Sequence, residues 1–118
     1  MIEHIENPAA VATVTWLPAE KGGRRSGPPT GPVYAATTAF TTGDPIESEP
    51  GWPATDPRTM SILLERTGSA PQITESMRVG FIAPELATSF LRHGAEFVVL
   101  EGPKPVAHGV VTEVLEIG

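Results

Sequence analysis

The chain of 118 residues has no cysteine, which excludes disulfides, thiolate metal sites and a cysteine nucleophile together. Long apolar stretches are also missing. No apolar run exceeds four residues, as in "FVVL" at Phe97–Leu100, against the roughly 20 that a membrane helix needs. The first residues, "MIEHIENPAA", carry acids and no cationic stretch, so a secretory signal is not expected and a cytoplasmic location is. Positive charge is scarce: 8 Lys and Arg stand against 14 Asp and Glu, a net charge of −6. Such a balance favours solubility and argues against general nucleic-acid binding, which draws on a basic surface. Aromatic residues make up only 6%, too few for the stacking platforms of single-strand RNA binders.

Catalytic patterns are lacking as well. There is no GxxxxGK[ST] phosphate loop, so no GTP site is expected, and no GxSxG or SxxK nucleophile setting. His4, His93 and His108 lie far apart and outside metal-ligand spacings. Asp44, Glu47, Glu49 and Asp56 share one loop, but Pro45 and Pro50 interrupt it and the calcium-loop spacing is absent. The expectation is a protein that is not an enzyme and holds no metal or cofactor.

What is present is a series of strands. "VATVTWL" (Val11–Leu17) places Ala12, Val14 and Trp16 on one face. "VYAATTAF" (Val33–Phe40) groups Tyr34, Ala36, Thr38 and Phe40, and "MSILLE" (Met60–Glu65) groups Met60, Ile62 and Leu64. "SMRVGFI" (Ser76–Ile82) sets Met77, Val79 and Phe81 against Arg78 and Gly80. "EFVVLEG" (Glu96–Gly102) and "VAHGVVTEVLEI" (Val106–Ile117) pair across the turn residues "GPKP". One helix of two or three turns is expected at Pro84–Gly94, with Pro84 in its first turn and Gly94 as its stop. Loops 18–32 and 41–58 are long enough to carry function. Six strands at this spacing predict one all-β domain over residues 1–118, a six-stranded antiparallel closed β-barrel. A barrel with a displayed loop could be a monomer, and an exposed edge such as "MSILLE" could pair across a two-fold axis into a dimer.

Two loops stand out chemically. "EKGGRRSGPPTGP" (Glu20–Pro32) carries Lys21, Arg24 and Arg25 beside Gly22 and Gly23, where backbone and guanidinium groups can approach an anion closely. A solvated cationic turn is the plainer account of the same residues. Trp52, in "EPGWPATDP", either folds back to cap the barrel or is displayed for a partner.

With the strands placed, "VTWLPAEKGGRR" (Val14–Arg25) followed by "VYAATTAF" resembles the opening of the C-terminal barrel domain of bacterial elongation factor Tu. "FIAPE" (Phe81–Glu85) and "GAEFVVLEGPKPVAHGVVTEVLE" (Gly94–Glu116) are similar to the closing segment of that domain. The resemblance implies a six-stranded barrel and matches Arg24, Arg25, Gly102 and Lys104 to family positions; with Lys21 and Gly23 of the basic loop they form the expected RNA- or anion-binding set. It departs where the family has an aromatic-rich run, here "PVYAA" with Tyr34 alone, and where "LATSFLR" (Leu86–Arg92) is inserted. The GTPase domain and middle barrel of the factor have no counterpart in these residues. Two functions follow as expectations. One is a non-catalytic module that binds a protein partner through Tyr34, Trp52 and the long loops, or through a barrel face. The other is a tRNA- or RNA-binding accessory of translation that uses the Lys21–Arg25 turn.

Overall fold

The computed structural model describes residues 4–115. Six strands form: β1 (Ala10–Trp16), β2 (Val33–Thr41), β3 (Met60–Arg66), β4 (Thr74–Phe81), β5 (Glu96–Glu101) and β6 (Lys104–Val114). They close into an antiparallel barrel in the order β1-β4-β3-β2-β5-β6, with β6 returning to pair with β1. The expected all-β closed barrel is therefore what the chain builds. Closure pairs β3 with β2 on one side and β4 on the other. Met60–Glu65 is thus not an edge, and pairing of that strand across a two-fold axis falls away.

Alternation decides the inside. Ala12, Val14 and Trp16 of β1, Ile62 and Leu64 of β3, and Met77 and Val79 of β4 are buried in one cluster. Phe97 and Val99 of β5 join them from across the barrel. On β6 the pattern slips: Val99 faces Ala107 whereas Leu100 faces Pro105, so Val106 is an extra residue in the ladder. This bulge buries both Val106 and Ala107 and shifts the inward set to Gly109 and Val111. His108 consequently faces outward and is exposed, beside the half-exposed Val110.

Gly109 is where the filling of the barrel is tightest. It pairs with Phe97, and a Cβ there would stand 2.2 Å from Phe97 Cζ, so the benzyl ring occupies the space that any side chain at 109 would need. Phe97 in turn tilts against Phe40, with centroids 5.8 Å apart.

The expected helix at Pro84–Gly94 is corrected to a single turn, α1 (Pro84–Ala87). Beyond it, the amides of Phe90 and Leu91 both donate to the Ala87 carbonyl. Phe90 then stacks flat on Phe40, with centroids 5.1 Å apart and planes within 5°. Packing that ring on the barrel end draws the chain out of helical geometry. None of the helices among the described residues is long and apolar enough to cross a membrane.

Because every pairing is antiparallel, one mouth of the barrel gathers the ends of β1, β3 and β5 with the starts of β2, β4 and β6. Residues 17–32 belong to this first mouth. Residues 42–59 and α1 belong to the second, where β1 starts.

Candidate interaction surfaces

At the first mouth, β1 ends at Trp16, Leu17 follows, and the chain makes a short 3-10 turn at Ala19–Lys21. Gly23 then passes so close to the strand that a Cβ would lie 1.9 Å from the Leu17 carbonyl oxygen. Only glycine fits there, and its amide donates to Pro18 O at 3.0 Å. Gly23 is buried backbone and shapes the turn.

The turn aims Arg24 back at the barrel. Its Nε donates to Glu101 Oε2 at 2.7 Å, and one Nη donates to Gly27 O at 2.7 Å. The Tyr34 hydroxyl donates to the same Glu101 oxygen. The guanidinium carbon stands 5.4 Å from the Tyr34 ring centroid, and Trp16 meets that ring edge-on at 5.3 Å and 88°. Burial and the bond to the Glu101 carboxylate push the Tyr34 phenol well above its usual range. Partial burial works to raise Glu101, but the donors Tyr34 and Arg24 outweigh it and hold the carboxyl below its ordinary value, with help from the Lys104 charge.

Of the residues expected to bind RNA or an anion, Arg24, Gly102 and Lys104 therefore meet at one mouth, and Tyr34 joins them. Gly102 makes that turn with φ +59°. Arg24 is spent on Glu101, whereas Lys21, Arg25 and Lys104 are exposed.

The sequence reading missed a second ion pair at this mouth. Arg66 Nε bonds Glu75 Oε1 at 2.9 Å, and both side chains are nearly fully buried. The Arg66 guanidinium also donates to the carbonyls of Pro29 and Gly31, fastening the end of loop 18–32 across the opening. Alternation was the available signal: Arg66 continues the inward series Ile62, Leu64, and Glu75 precedes the inward Met77.

Trp52 sits at the second mouth, half-buried, with Nε1 donating to Asp56 Oδ2 at 2.9 Å. Asp56 also receives Arg58 through its backbone amide at 2.8 Å and its Nη2 at 2.7 Å. Those Arg58 bonds prevail over burial and hold the Asp56 carboxyl far below the usual range. Glu47 accepts from the amides of Thr42 at 2.8 Å and Gly43 at 3.1 Å, and from Arg58 Nη2 at 3.1 Å. Burial opposes ionisation, yet these donors lower its pKa to about 2. Loop 41–58 is thus knitted together by its own carboxylates around Arg58, and Trp52 is part of the stitching.

Beside it lies an apolar feature with no counterpart in the sequence reading. A groove of about 400 Å³ is lined by Ala9, Pro84, Leu91, Val114 and Leu115, with Glu85. Val114, Leu86 and Ile82 are 45%, 53% and 63% exposed, although all three are large hydrophobics. Leu86 also lines a second pocket of about 240 Å³ with Pro57, Met60 and Phe90, so α1 divides two apolar depressions.

No family model matches the chain, and no curated protein sequence does.

Proposed function

We propose that this protein is a non-catalytic binding module for a protein partner, related to the C-terminal barrel domain of elongation factor Tu and working in the cytoplasm. The apolar groove at the second mouth, with exposed Val114 in its lining and exposed Leu86 in the pocket next to it, carries the reading. Large exposed hydrophobics gathered around a concave surface are a mark of protein contact. The ionic clusters point the same way. Arg24, Arg58 and Arg66 are each held by carboxylates of the chain itself, an arrangement that stabilises loops. Support for the relationship to elongation factor Tu lies in the six-stranded barrel and in the turn of Arg24 meeting the turn of Gly102 at one mouth.

The test is capture of partners from the protein's own cells, comparing the natural chain with Leu86→Asp and Val114→Asp. Capture that resists salt and is lost in both variants, with far-UV circular dichroism unchanged, is the expected result. Undiminished capture by the variants counts against the groove.

A second reading, an RNA-binding accessory of translation, is favoured by one observation: Lys21, Arg25 and Lys104 are exposed. It requires tRNA binding that weakens steeply with salt and fails in Arg25→Ala/Lys104→Ala.

A further inference from the structure

Residues 4–9 lie across the outside of the barrel. Their backbone joins the barrel at Ala9, whose amide donates to Val79 O at 2.7 Å. Ahead of that point two side chains hold it. Ile5 is 6% exposed and rests on Gly80, where a Cβ would come within 2.8 Å of Ile5 Cγ2. His4 Nδ1 lies 2.8 Å from Glu65 Oε2.

The floor beneath them is unusual for an outer barrel face. Gly80 of β4 pairs with Leu63 of β3, and Leu63 is buried although it points away from the core series. Next along, Glu65 pairs with Arg78, and Glu65 is buried too, with its second oxygen 3.6 Å from Arg78 Nη1. Past Gly80, Ile82 continues the outward face and is exposed. Glycine leaves a notch in this face, Leu63 beside it is apolar, and Glu65 supplies an acceptor at one end.

We infer that this notch is a docking slot for an extended segment of a partner protein, occupied in cis by His4–Ile5. The seated residues define what it accepts: an apolar side chain of isoleucine size over Gly80, preceded by a side chain that hydrogen-bonds Glu65. The cover is slight. Among the described residues it consists of one apolar side chain and one side-chain contact, on a link of Glu6, Asn7 and Pro8 outside any strand. A partner segment competes with it for the same floor, and the equilibrium between closed and open slot sets its apparent affinity. Ala9, at the root of the link, also lines the groove, so slot and groove border one another. The inference rests on the protein-binding reading above and names the partner's chemistry.

The probe is a fluorescein-labelled peptide of residues 1–9, MIEHIENPA, titrated against full-length proteins by anisotropy. Ile5→Ala empties the slot without filling it, and Gly80→Ala fills it. Binding at least tenfold tighter to Ile5→Ala than to the natural chain is expected, with none to Ile5→Ala/Gly80→Ala. His4→Ala, which leaves every buried apolar contact in place, should give a smaller gain and serves if Ile5→Ala proves unstable. Equal affinity for the natural chain and both strap variants overturns the inference. So does binding by Ile5→Ala that persists after Gly80→Ala. A dimer of the natural chain that Gly80→Ala dissolves assigns the slot to a second copy and overturns the foreign partner. The groove variant Val114→Asp keeps peptide binding, so failure of the slot and failure of the groove read out separately.

Discussion

At the scale of single residues, glycines do the work that a barrel this narrow demands. Gly23, Gly80 and Gly109 each yield their side-chain space to a neighbour: the Leu17 carbonyl, Ile5 and Phe97. Gly109 faces the least yielding of them, a ring that is itself packed against Phe40. Gly109→Ala should therefore push Phe97 off its position and cost about 1–3 kcal/mol, the range for overpacked cores, read from a shift in denaturant midpoint at unchanged slope. A companion Phe97→Leu should recover part of that loss by giving back room. None of these close approaches was legible in the sequence, because a glycine in a strand pattern does not say which side chain will cover it.

At the scale of elements, loops are tied down by arginines rather than by length or composition. Arg66 illustrates the cost of such a tie. It and Glu75 are both buried, and the Pro29 and Gly31 carbonyls take their donors from the same guanidinium. Arg66→Met leaves Glu75 charged and unpaired inside the mouth and should lose roughly 3–5 kcal/mol. Arg66→Met/Glu75→Leu removes both charges and should lose clearly less, while loop 18–32 exchanges its amide hydrogens faster in each. Chemical denaturation and hydrogen exchange on the three proteins check this. The elements themselves were largely legible: all six strands follow from period-two alternation, since each has one face in the core. The helix at Pro84–Gly94 was not, because tertiary stacking of Phe90 on Phe40 overrode a local pattern. Nor was the groove, which needs Ala9, Leu91 and Val114 brought together from three separate parts of the chain. Trp52 was half legible: its loop position offered capping or display, and its bond to Asp56 makes it part of the loop's framework.

At the scale of the whole molecule, the ionised carboxylates of loop 41–58 make stability depend on acid. Glu47 has a folded pKa of about 2 against an ordinary 4.5, and Asp56 is lowered as well. A depressed folded value means that the unfolded chain takes up the proton first. The stability is present in full above the ordinary carboxylate range and drains away as pH falls from about 4.5 towards 2. For Glu47 alone the shift corresponds to roughly 3 kcal/mol at most. Glu47→Gln should flatten the fall of the unfolding free energy between pH 5 and 2 and leave its slope from pH 6 to 8 unchanged. Denaturant titrations at stepped pH measure both.

The closure of β1 on β6 also dictates when the fold can exist. Val14 pairs with Gly109, and Thr13 with Val110, so the first of the six strands to be made finds one of its two neighbours in the last of them. Its other neighbour, β4, is more than halfway along the chain. A nascent chain therefore carries Val14 and Trp16 unburied through most of its synthesis, and the barrel forms in one act after β6 emerges. A sheet whose first and last strands meet at one seam cannot close until both have been made.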